Sequence, residues 1–211
     1  MPRTGPVPRL GRREQTKARN RSVLLAAARK VFIEIGFEAA TVRDVVRASG
    51  LAVGTFYEYF RDKEEAFSAV AREAAAELRR RVRAERRARS LPFEDRVYRA
   101  YLAYFRFACE DRALFELLDR NAFALRDGVA PDLAIAVREL REDLFAETPE
   151  ALGGLDPDYV AVAMIGLSSL VGRRMLSRPD PSPEEAARFC TRFALEGLTG
   201  ASTSQRRRRT A

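Results

Sequence analysis

The 211-residue chain contains no histidine and only two cysteines, Cys109 and Cys190. Without histidine there is no imidazole base, no Ser-His or Cys-His nucleophile pair and no histidine-ligated metal. The cysteines are too few and too far apart for a disulfide framework or a metal cluster, and both read as inert buried thiols in a reducing cytoplasm. No apolar run approaches the roughly 20 residues needed to cross a bilayer. Residues 1–11 lack the apolar stretch of a secretory signal. The expectation is a cytoplasmic protein that is not an enzyme, with no metal, no cofactor and no membrane partner.

What is present is charge, unevenly spread. Residues 1–63 hold 13 lysines and arginines against 6 acids, whereas residues 90–204 hold 13 against 19. Between them, residues 79–89 (RRRVRAERRAR) are strongly basic, and Arg206 to Arg209 form a second basic run. A basic front on an acidic body is the footprint of a protein that holds a polyanion at one end. Solvated helix faces are the plainer account of such runs. Some arginines of 79–89 are expected to pair with the acidic body.

The periodicity predicts an all-α chain of about nine helices. Residues 1–15, rich in Pro, Gly and Arg, read as a disordered basic arm, and 199–211 as a disordered basic tail. Leu24, Leu25, Ala28, Val31, Phe32 and Ile35 recur at helical spacing until Gly36 stops the run. Thr41 and Asp44 form a capping box that opens a short helix ending at Ser49 and Gly50. A second short helix follows over 53–59, and a long one over 63–89. Further helices are predicted over 93–110, 112–125, 131–146, 158–176 and 183–198, with Asp127 and Gly128 as a separator and 148–157 as a loop. The predicted domains are 16–63 and 64–198.

The informative stretch is TVRDVVRASGLAVGTFYEYFRDK, residues 41–63. Two short helices joined by a Gly-containing turn make a helix-turn-helix unit, whose second helix enters the major groove. Gly54 lets the backbone approach a duplex, and Thr55 offers a hydroxyl to a base edge or a phosphate. Tyr57 and Tyr59 present phenols, Lys63 places a positive charge at a helix start, and Phe56 and Phe60 anchor the unit inward.

These residues resemble the tetracycline-repressor (TetR) family of bacterial regulators. The likeness begins at Leu24, Leu25, Ala27, Ala28 and Phe32 and continues through Gly36 and Phe37 to Thr41. It is densest at Gly50, Leu51, Gly54, Thr55, Phe56, Tyr57, Tyr59, Phe60, Lys63 and Glu64. The resemblance implies that Arg43, Thr55 and Tyr59 lie near base edges, while Thr41, Tyr57 and Lys63 hold phosphates. Ala52, Val53 and Gly54 would start the recognition helix against the DNA. Ala52 stands where the family often has Ser, which removes an N-cap worth about 1 kcal/mol, and Val46 and Ser49 replace usual alanines.

The resemblance further implies that the 64–198 domain dimerises and encloses a ligand pocket. One stripe of helix 158–176 carries Val160, Met164, Leu167, Val171 and Met175, and its small residues Ala163, Gly166, Ser169 and Gly172 permit close helix approach. With Ala186, Phe189, Cys190, Phe193 and Ala194 of the last helix, two helices per subunit would build a homodimer interface. Packing within one subunit is the alternative. Tyr101, Phe105, Cys109, Phe115, Leu118, Asn121, Phe123, Met164 and Ser168 are candidate lining for an apolar or aromatic effector, or ordinary core. The leading function is a repressor released from a palindromic DNA operator by that effector. A helix-turn-helix architectural protein without ligand and a helical enzyme or lipid carrier stand beside it, and no residue decides repression against activation.

Overall fold

The structure, a computed structural model, describes residues 11–121, 126–145 and 155–209, with side chains at 11–121, 133–143 and 155–197. Nine α-helices and one π-helical turn, Arg141–Phe145, make up the described chain, and no strand occurs among the described residues. The helices are α1 (Arg12–Ile35), α2 (Val42–Ser49), α3 (Val53–Tyr57), α4 (Lys63–Arg86), α5 (Phe93–Glu110), α6 (Arg112–Arg120), α7 (Arg126–Leu140), α8 (Pro157–Leu176) and α9 (Pro183–Arg209). The chain divides into two compact units, residues 1–70 and 71–211.

Several bounds differ from those expected. α1 begins at Arg12, inside the stretch expected to be an arm, because the Glu14 carboxylate reaches back to accept from the Gly11 N–H at 3.2 Å. α7 begins at Arg126 and runs through Asp127 and Gly128, so this pair separates nothing. Gly128 falls in the first turn, where amides need no intrahelical partner. α9 continues to Arg209 through the stretch expected as a tail. Phe123 and residues 148–154 of the expected loop lie outside the described residues.

In the first unit, α1 supplies Leu24, Leu25, Ala28, Val31 and Phe32 to a core completed by Phe37, Val45, Phe56, Phe60 and Phe67. Phe32, Phe37 and Phe67 meet one another at 4.4 to 5.7 Å between ring centres. Such rings contribute through both area and edge-to-face geometry. The burial of α1 starts only at Leu24, so the exposed Arg12, Arg13, Lys17, Arg19 and Arg21 occupy turns that precede the core.

In the second unit α5 packs against α8 and α9. Its Val97, Tyr101, Phe105 and Ala108 are buried with Met164 and Met175 of α8 and with Ala186, Ala187 and Cys190 of α9. Gly172 is spent on this packing, since a Cβ there would lie 3.1 Å from Tyr104 Cε1. The stripe of Val160, Met164, Leu167, Val171 and Met175 likewise packs inward. Ion pairs tie the helices at their rims: Arg106 to Glu184 at 2.8 Å, Arg173 to Asp119 at 2.8 Å and Arg141 to Asp158 at 3.0 Å.

One expectation about membranes is corrected. α8 is, by length and composition, apolar enough to cross a bilayer. Small and apolar residues outnumber its charges because one face, with Ala161, Met164, Ser168 and Gly172, is buried in the helical body.

Cys190 is fully buried, and burial pushes its thiol up to about 12. Burial raises the half-buried Cys109 thiol as well. At pH 8 an aromatic disulfide reagent should label Cys109 slowly and Cys190 only on unfolding, because only the thiolate reacts. Rapid native labelling of both thiols would contradict this packing.

Candidate nucleic-acid interface and body cavity

The interface is built from the end of α1 onward. Gly36 leaves the helix at φ +84°, a conformation that L side chains rarely adopt, and its N–H still donates to the Phe32 carbonyl. The chain then crosses 37–40 to reach Thr41. Thr41 caps α2 in both directions: Asp44 N–H donates to its hydroxyl oxygen at 3.3 Å, and Thr41 N–H donates to Asp44 Oδ2 at 3.0 Å. The Thr41 hydroxyl donates to the same carboxylate at 2.6 Å, and these hydrogen bonds hold the Asp44 carboxyl below its ordinary range. Arg47 pairs with Asp44 at 2.6 Å, whereas Arg43 is exposed.

Gly50 ends α2 in the left-handed region at φ +67°. Ser49 Oγ accepts from Leu51 N–H at 3.2 Å and so closes the turn. α3 starts from Ala52 with no side-chain cap. Phe56 at its centre is fully buried and Phe60 nearly so, at 5.6 Å between ring centres. Their burial turns a different set outward: Ala52, Val53, Gly54 and Tyr57 are exposed, while Thr55 and Tyr59 are half-buried. At Gly54 an added Cβ would meet nothing within 4 Å. Nothing inside the chain demands glycine there, so the room is on the outer side.

Lys63 is used in a way the sequence did not reveal. Its ammonium donates to the carbonyls of Phe37, Glu38 and Ala40 at 3.0, 3.0 and 3.1 Å, and lies 4.8 Å from the Phe37 ring centre. An ammonium has three protons, and three carbonyls take them. Lys63 therefore holds the link between α1 and Thr41, and would reach a phosphate only by releasing one carbonyl.

In the second unit α4, α5, α7 and α8 line a partly open cavity of about 120 Å³. Tyr101, Met164 and Ser168, expected at a ligand site, line it; Leu78, Val82, Arg86 and Leu140 also line it and were not foreseen. Burial pushes the Tyr101 phenol above its ordinary range, and its hydroxyl donates to the Met164 carbonyl at 3.4 Å. The other expected lining residues serve elsewhere. Phe105 is fully buried against α8, and Phe115 packs edge-on to Tyr104. Cys109 and Leu118 are half-buried outside the lining, and the Asn121 amide donates to the Leu117 carbonyl at the end of α6. The unforeseen Leu78 and Val82 stand at i and i+4 on α4, a spacing visible in the sequence but masked by the basic run around it.

Replacing Lys63 by Gln should destabilise the first unit by about 1–3 kcal/mol, the cost of leaving partly buried carbonyls short of donors, as read by urea denaturation. The salt slope of DNA binding should stay unchanged, because a residue engaged with carbonyls releases no counterion; a slope lowered by about one would mean that Lys63 contacts phosphate.

Comparison with known proteins supports this frame. Residues 24–70 match the family described as bacterial regulatory proteins, tetR family. The transcriptional regulator YdgC of Bacillus subtilis is 30% identical over 189 residues, covering 85% of this chain and 92% of that protein. The repressor AcnR of Corynebacterium efficiens is 44% identical over 59 residues, 28% of this chain and 31% of its own length. The activator FasR of Mycolicibacterium smegmatis is 25% identical over 182 residues, 85% of this chain and 83% of that one. The chain spans only about a third to about half, 31% to 53%, of the length of several relatives it matches. A crystal structure of a TetR-family regulator from Syntrophomonas wolfei superposes with a TM-score of 0.73 at 16% identity, covering 86% of this chain and 96% of that one. A whole-length relative at 30% identity, the helix-turn-helix residues and the shared helical fold place the chain in the TetR family of bacterial regulatory proteins.

Proposed function

We propose that the chain is a dimeric, sequence-specific DNA-binding regulator of transcription, acting in the cytoplasm as a repressor that leaves a palindromic operator when a small apolar molecule fills the body. One observation carries the DNA reading. α3 buries Phe56 and turns Val53, Gly54 and Tyr57 outward, with open space at Gly54. A short helix presenting such a face fits the major groove, about 12 Å wide. In this reading Arg43, Thr55 and Tyr59 read base edges, Thr41 and Tyr57 contact phosphates, and Ala52 to Gly54 approach the backbone. The exposed basic residues at the start of α1 add sequence-independent attraction. Residues 16–63 hold DNA and 64–198 form the sensing and dimerising body.

The name of AcnR, matched over 59 residues, supports repression, while FasR is named an activator. Promoter activity with and without the protein decides the sign. The second copy is expected on α8 and α9, where Tyr159, Leu170, Phe189 and Phe193 are 53–78% exposed and the two phenylalanines stack at 6.0 Å. Contiguous apolar exposure of this kind marks an interaction surface. Phe189 and Phe193 belong to the set expected for this face, whereas the expected α8 stripe is occupied within the subunit.

Labelled duplex from the region upstream of the gene should bind saturably by anisotropy and survive excess random duplex. Thr55→Ala should weaken that binding about tenfold, within the 1–3 kcal/mol of a base contact, with little change in the unfolding midpoint. If random duplex competes equally at low and high salt, the sequence-specific reading falls. By light scattering after size exclusion, Leu170→Asp combined with Phe193→Asp should convert a dimer to a folded monomer. A variant that remains dimeric places the interface elsewhere.

A further inference from the structure

The body cavity holds one buried cation that its neighbours serve incompletely. Arg86 is 6% exposed and lines the cavity. Its Nη2 donates to Asp143 Oδ2 at 3.2 Å. That carboxylate is shared, since Arg87 Nε meets Oδ1 at 2.7 Å and Arg83 Nε lies 3.6 Å from Oδ2. Glu139, the next acid, takes Arg83 at 3.0 Å and lies outside the cavity lining. Arg86 Nε has no hydrogen-bond partner. Burial lowers the guanidinium against the pull of Asp143 and Glu139, so desolvation exceeds what those carboxylates return. A buried donor without a partner costs more than a made hydrogen bond returns.

The remaining polar groups of the wall are already engaged. Ser168 Oγ donates to the Ile165 carbonyl at 2.7 Å, and the Tyr101 hydroxyl donates to that of Met164. Half-buried Arg79 and Tyr104 also line the space, and the rest of the surface is apolar, with Leu78, Val82, Leu140 and Met164. At about 120 Å³ the space approaches the cavities of about 150 Å³ that accept benzene. It is small for a drug-sized molecule, whose pockets start near about 300 Å³.

We propose that this cavity binds a compact monocarboxylic acid, with the carboxylate against the Arg86 guanidinium and an apolar body of about one ring between Tyr101, Leu140 and Met164. A carboxylate suits a guanidinium edge in shape and charge, and such charge-assisted bonds are about twice as strong as neutral ones. The bound acid joins Asp143 and Glu139 as a third counter-ion for three arginines. This assignment rests on the reading of the body as an effector domain, and narrows the effector from an apolar molecule to an apolar acid.

The test uses the full chain at pH 7.5 with benzoate, phenylacetate and hexanoate, each against its primary amide, by calorimetry and thermal unfolding. At least one acid should bind saturably and at least tenfold more tightly than its amide. Ala136→Phe, which fills the cavity and leaves Arg86 in place, should abolish binding while circular dichroism stays helical. Asp143→Asn removes the carboxylate that Arg86 donates to, so the acid should raise its unfolding midpoint more than it raises that of the unaltered chain. Equal binding of acid and amide, no binding by any acid, or unchanged binding to Ala136→Phe would overturn the proposal. Anisotropy on upstream DNA runs in parallel. Specific DNA binding together with no measurable binding of any of the three acids sinks this assignment and leaves the regulator reading intact. Acid binding that leaves DNA affinity unchanged keeps the site and removes effector-driven release.

Discussion

The donation of three protons by Lys63 to the carbonyls of Phe37, Glu38 and Ala40 is the contact on which the first unit turns. After Gly36 the chain leaves the helix and still carries backbone acceptors that need donors. A single ammonium from the start of α4 meets three of them. Because the same loop delivers Thr41, the cap of α2, its position determines where the helix-turn-helix begins. Beneath it Phe32, Phe37 and Phe67 pack ring against ring, so the loop is held by charge above and by aromatic area below.

The second unit solves a different problem. α5 is apolar on more than one side and finds partners in α8 and α9. α8 is less constrained, with an inner face of Ala161, Met164 and Gly172 and an outer face that includes Tyr159, Val162 and Leu170. A helix that is apolar all round needs cover on both sides. Its own body supplies one, and a second copy supplies the other in the proposed dimer. The basic run of 79–89 is put to use in the same unit, with Arg81, Arg83, Arg86 and Arg87 reaching Glu110, Glu139 and Asp143. These arginines tie α4 to α5, α7 and the π-helical turn.

The readings that held were local. Periodic apolar residues, the Thr41 and Asp44 box, the glycine stops and the Phe56 and Phe60 anchors each depend on neighbours within one or two turns, so residue order suffices to state them. The readings that moved depended on distant neighbours. Lys63 looks like a phosphate ligand until the carbonyls of residues 26, 25 and 23 positions earlier are placed beside it. Gly172 and the stripe of Met164 and Met175 look like a dimer seam until α5 occupies them.

From its sequence alone this chain is all-helical, carries a helix-turn-helix at its basic front and lacks the groups of histidine chemistry, since helical period, caps and composition are properties of order and residue type. Which side of each helix faces a neighbour was decided only in the tertiary structure. Phe105, Cys109, Phe115, Leu118 and Asn121 have the chemistry of pocket lining and yet pack elsewhere, while Leu78, Val82, Arg86 and Leu140 surround the cavity. A cavity is the space that four helices leave between them, and its walls depend on their relative rotation, which no single segment of sequence contains.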